Sequence, residues 1–306
     1  MITTKVYANL LAIQSGSRLN AERLRRVVEA KSLDDAFKML GDYGYAYREG
    51  CTVDGFIVGE TNRLIEFIED NAASDKFGNA LLARFVYNNA KLAYKSRFHS
   101  VPSDGYYRVA FDAVKIADGD YSDADKFMRE ALESLDEAQE RDPQKIDLTL
   151  TRAMYKSVLS CGIPNVKKFF RAEIDMKNIL SAARMRRLGM DEDEFIEGGR
   201  VSKDVLRRSV TEDGFADCYD KTPYFEYAEN IENGEFGELW RAEREADDYL
   251  FFMTYADVAN INSYEPFLNY YAEALVELKT AKIALVCVKT DARETFYKRL
   301  SDVYKD

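Results

Sequence analysis

An all-α protein is what this sequence predicts, and three observations carry the prediction. The 306 residues include only 5 Pro and 16 Gly, so long helices can run with few breaks. Apolar residues recur at helical spacing in segment after segment, and no segment sustains the period-two alternation of a sheet. At 46% hydrophobic residues the chain can fill a sizeable core, which argues against disorder. The formal net charge of −11 argues against a nucleic-acid partner, whose phosphates the surface would repel.

Residues 6–18 read as an opening helix. Asn20 caps a second, and Ser32 with Asp35 forms a capping box for a third. The Gly- and Tyr-containing stretch 41–55 is a loop, after which helices are expected over 56–70 and 74–98. Pro102 and Gly105 mark a boundary. From Tyr106 a helix is expected to about Ala117, then Ser122 with Asp125 repeats the capping signature before a helix ending near Arg141. Residues 145–160 form another. The most strongly patterned stretch follows, 164–189, with Pro164 in a helix first turn and Gly189 past the end of a rod roughly 37 Å long at 1.5 Å per residue. It carries two apolar rows, one of which includes Asn178, so it belongs inside a helical assembly. After an acidic loop at 191–199, Ser202 starts a short helix. The stretch 224–234 is short and polar, 237–260 is strongly helical, Glu265 and Pro266 open a long helix to about Val288, and Thr290 is expected to cap the last one.

The long helices echo one another. Laying 85–97 over 174–186 places Asn89 on Asn178, Ala93 on Ala182 and Lys95 on Arg184. A third stretch, 274–288, places Glu277 on Asp175 and Thr280 on Asn178. Each long helix comes after several shorter ones.

With these residues in place, the chain resembles the central-stalk adapter family of the archaeal and bacterial A/V-type rotary ATPases, known there as the C subunit and in the eukaryotic enzyme as the d subunit. The likeness rests on NAERLRRVVEAKSLDDAFKMLGDYGY near the start, AEIDMKNILSAARMRRLG, the Gly-Gly loop of EGGRVSKDVLRR, and EPFLNYYAEALVELKTAKIALVCVK near the end. Val86 departs from the family pattern, standing where an acid is usual, and Thr280 stands at a frequent Asn. The resemblance implies three pseudo-repeated helical lobes, over about 1–103, 104–190 and 191–306, forming a funnel-shaped, pseudo-three-fold bundle. It also implies a non-catalytic rotor adapter on the cytoplasmic face of the membrane, whose partners are the central-shaft subunits and the membrane proteolipid ring.

The residues themselves point away from chemistry. His99 is the one histidine and reads as a surface-loop side chain; neither GxxxxGK[ST] nor GxGxxG occurs. The acidic run 191–194 reads as a solvated loop, not a cation site. The four widely spaced cysteines suit reduced thiols of a cytosolic protein, with Cys161 and Cys287 in apolar surroundings. Glu173 and Asp175 lie about 200° apart on one helix and cannot share a substrate; Glu173 is expected to pair with Lys177. No cofactor, metal or small-molecule substrate is expected. Asn89, Asn178 and Thr280 are structural repeat positions. The candidate partner-interface residues are the basic clusters Lys91, Lys95, Arg97 and Arg184, Arg186, Arg187, although complementing helix C-termini explains the same charges. A helical-repeat scaffold for peptide or protein partners is the alternative function. It lacks a 34- or 40-residue period.

Overall fold

The computed structural model describes residues 3–102, 105–190, 194–234, 236–255 and 259–304. These residues are about 70% helical, with no strand among them. The helices are α1 (Thr4–Ser15), α2 (Ala21–Val28), α3 (Leu33–Asp42), α4 (Val53–Asn71), α5 (Asp75–Ser96), α6 (Ala113–Ala117), α7 (Lys126–Glu137), α8 (Pro143–Leu159), α9 (Pro164–Leu188), α10 (Lys203–Thr211), α11 (Phe225–Asn233), α12 (Leu239–Tyr255), α13 (Glu265–Lys289) and α14 (Arg293–Arg299).

Their order has a rhythm. Two short helices, a longer helix and then a rod occur as α2–α5, as α6–α9 and as α10–α13. Each rod packs on the long helix that precedes it and also on the next group: α5 on α6 and α8, α9 on α10 and α12. The last rod, α13, packs on α2 and α4, so the sequence of groups closes on itself. Outside the rhythm stand α1, laid against α13, and α14, which Arg293 ties to the Val28 and Ala30 carbonyls, each at 3.1 Å.

Burial follows this arrangement. The N-terminal halves of the rods share a central core containing Phe77, Leu81, Phe169, Phe170, Phe267 and Tyr271. The C-terminal half of α9 fills a second core with α10 to α12, and that of α13 fills a third with α2, α3 and the start of α4. At one shared register each rod buries an alanine, Ala93, Ala182 and Ala284.

Most helix ends follow the sequence signals. Asn20, Ser32, Ser74 and Ser202 accept hydrogen bonds from first-turn N–H groups, and Gly189 closes α9 with φ +65°. Three expectations fail. The helix expected from Tyr106 begins only at Ala113, because side chains of distant helices take up the backbone groups of 105–108. Asp125, not Ser122, caps α7, accepting from Phe127 and Met128. Thr290 does not cap α14; its hydroxyl donates back to the Val286 carbonyl, and Asp291 takes φ +55°. The acidic run 191–194 lies outside the described residues at 191–193.

Candidate functional site

At the centre of the molecule the rods meet through polar as well as apolar contacts. Arg84 on α5 reaches both carboxylate oxygens of Glu173 on α9, each at 3.1 Å, and lies over the ring of Tyr271 on α13 at 5.5 Å. The Tyr271 hydroxyl donates to the Leu81 carbonyl of α5 at 3.1 Å. Arg84 and Glu173 are 89 residues apart, the same spacing that separates Asn89 from Asn178. They therefore stand at equivalent heights on two rods, and Leu275 holds that position on α13. The i,i+4 spacing predicts that Glu173 serves Lys177. That pair is 4.0 Å apart, and the arginine has the better geometry because it faces the carboxylate from inside the core.

Beyond the centre, α5 and α9 each receive the chain returning from their own ends. The Asn89 side chain donates to the Tyr107 carbonyl at 2.8 Å and accepts from the Tyr107 N–H at 2.9 Å. Asn178 does the same to Ile196, both bonds at 2.8 Å. Each clamp reaches 18 residues onward. A carboxylate one turn earlier holds the next part of the path: Asp175 accepts from the N–H groups of Arg200 at 2.8 Å and Val201 at 2.9 Å. Burial pushes this carboxyl above its ordinary value, against the pull of the amides. The backbone must come very close here, and a Cβ on Gly199 would fall on the Asp175 carboxylate. On α13, Glu277 repeats this role, but the segment that it holds comes from the far end of the sequence. It accepts from the Arg18 N–H at 2.9 Å, the Ser17 hydroxyl at 2.5 Å and the Tyr45 hydroxyl. On α5 the position belongs to Val86, which lines a groove beside Phe111 and anchors no amide. Thr280 is buried on α13, facing a cleft.

All six basic side chains singled out in the sequence are engaged within the chain. Lys91 reaches the Thr151 hydroxyl at 2.6 Å, Lys95 reaches Asp147 at 2.9 Å, and Arg97 reaches Asp136 at 2.8 Å. Arg184 pairs with Glu243, Arg186 donates to the carbonyls of Ser209 and Glu212, and Arg187 lies 3.5 Å from the Gly237 carbonyl. Lys95 to Asp147 and Arg184 to Glu243 are equivalent links, from a rod to the next group's long helix. On α13 the position is Val286, and the link to α4 comes from one turn earlier, Lys282 to Asp54 at 2.7 Å. Such exposed pairs are each worth about 0–1 kcal/mol, so they serve register more than stability.

Sequence reading missed Arg84, Glu60 and Asn62. Asn62 accepts from the Arg108 N–H at 2.8 Å, and Glu60 binds the Ala46 N–H and Arg18. Arg84 carried a usable signal, the 89-residue offset to Glu173. His99 is exposed, with Nε2 2.7 Å from the Arg141 carbonyl. Cys287 is buried, whereas Cys161 is half-buried. No group of three or more His, Cys, Asp or Glu side chains among the described residues could hold a metal ion.

Fold and contacts together define an all-helical repeat assembly whose polar networks hold its own rods. The family model of the ATP synthase (C/AC39) subunit matches residues 10–299, and the chain belongs to that family. It is thus a structural, rotor-associated subunit of a V/A-type ATPase, associating with other subunits of the complex. Comparison with curated proteins gave no match. No helix among the described residues is long and apolar enough to cross a membrane.

Proposed function

We propose that this protein is the rotor adapter of its ATPase, linking the central shaft to the membrane proteolipid ring on the cytoplasmic side and passing torque between them. The observation that carries the reading is the meeting of the rods: Arg84, Glu173 and Tyr271 join α5, α9 and α13 at one place, and α13 packs back on α2 and α4. A torque-bearing part needs stiffness, and a closed set of packed helices resists bending better than an open array. A funnel of three lobes, over about 1–103, 104–190 and 191–306, belongs to this reading, with its ends offered to the shaft and the ring.

The test is co-expression of the full chain with the shaft subunits and, separately, with the purified proteolipid ring. Stable co-purification with both is expected, and the isolated chain should turn over no ATP. A folded chain that binds neither partner would overturn the proposal.

A further inference from the structure

In the first two groups, the space between a long helix and the rod that follows it is filled by the chain itself. Residues 105–108 lie between Asn62 of α4 and Asn88 and Asn89 of α5. Residues 195–197 lie between α8, where Arg152 donates to the Phe195 carbonyl at 3.1 Å and Lys156 faces Glu197 at 3.8 Å, and Asn178 of α9. In the third group Thr280 stands where the asparagines stand, and it clamps no main-chain group among the described residues. The chain after α13 returns as α14 and a short turn instead. These are pinned to α12 through Arg244, which donates to the Lys298 carbonyl at 3.2 Å, and through Asp248, which accepts from the Asp302 N–H at 3.1 Å. Under α14 there remains a cleft of about 480 Å³ between α12 and α13.

We propose that this cleft takes a non-helical segment of a partner polypeptide, one that sets an apolar side chain against Ile283 and Trp240 and a carboxylate against Arg299. The molecule supplies its own template, since the corresponding space is filled twice by backbone in that form. Charge selects an acidic occupant. In a chain of net charge −11, the cleft is lined by Arg244, Lys279, Lys282 and Arg299 against Glu243 and Asp247. Lys279 is paired with Asp247 and Lys282 with Asp54, whereas Arg299 lies over Trp240 at 5.2 Å and makes no ion pair among the described residues. The filler of the second group has this character as well, with Phe195 and Ile196 between Glu194 and Glu197. Recognition of this kind draws affinity from main-chain contacts and specificity from the side chains seated beside them. The inference does not depend on shaft or ring binding, so either can fail without the other.

Trp240 is the only tryptophan in the chain, so its fluorescence reads the cleft directly. The probe is a synthetic peptide with the sequence of residues 194–201, EFIEGGRV, titrated into the full-length protein. A saturable change in Trp240 emission is expected. Affinity should fall about tenfold when glutamine replaces both peptide glutamates, and by a similar factor in the Arg299→Glu variant, which alters an exposed side chain and should keep the parent far-UV spectrum. No saturable change, or undiminished binding both by the glutamine-substituted peptide and by Arg299→Glu, would overturn the proposal.

Discussion

Asn178 sits in an apolar row of α9, and both ends of its amide are spent on one residue, Ile196. Removing that side chain leaves the N–H and the carbonyl of half-buried Ile196 without their partner. Asn178→Ala is therefore expected to lose about 1–3 kcal/mol in urea denaturation, and Asn89→Ala a similar amount. Thr280→Ala, which breaks no clamp, should stay within about 1 kcal/mol of the parent. Lys91 is a second residue with a measurable consequence. Burial pushes its ammonium down to about 8, with Lys95 and Lys177 acting in the same direction and Asp147 opposing, while the Thr151 hydroxyl accepts its hydrogen bond. Between that value and the ordinary 10.5 the folded chain binds fewer protons than the unfolded one, so stability rises with pH across that window. At pH 7 the buried charge is a net cost. Lys91→Met is expected to be more stable at pH 7 by about 1–3 kcal/mol, with the gap to the parent closing as pH approaches 10.5 in parallel denaturation series. The asparagines were legible in the sequence because a polar residue in an apolar row demands a partner. Which partner was not legible, and the false helix from Tyr106 has the same cause: its backbone groups are claimed by Asn62 and Asn89, from helices that come earlier in the chain.

At the scale of the helix, caps and apolar spacing located most elements, and α9 and α13 were read nearly to their ends. Local signals do this well because a helix satisfies its own backbone. Pairing between helices is another matter. Arg84 and Glu173 look like ordinary surface charges until α5 and α9 are laid side by side, at which point they become a largely buried pair. Breaking one side of such a pair leaves the other charge without compensation. Arg84→Met is expected to cost about 3 kcal/mol or more, and the double variant Arg84→Met/Glu173→Met to cost clearly less than the sum of the two single changes, measured as a double-mutant cycle. An additive result would mean that the two side chains act separately.

On the scale of the whole molecule, closure is the main fact. Glu277 of the last rod holds Ser17 and Arg18, just ahead of the first group, so one carboxylate ties the last group to the first. A circular permutant tests this. Joining residue 304 to residue 3 through a flexible linker of about 15 residues, and opening the chain at the exposed turn after Gly119, should preserve the helical far-UV spectrum and keep Tm within about 5 °C of the parent. Collapse of the spectrum would mean that the packing of α13 on α2 and α4 needs the original chain order. The contact of Arg84 with Glu173 has a further consequence. Since these residues occupy the same height on their rods, with Leu275 on the third, three identical copies of one group could not reproduce this meeting point: the axis would gather like charges or lose its polar link. The mismatch acts as a key, requiring unlike parts at the meeting point and shutting out a homotrimer built from any single one of them.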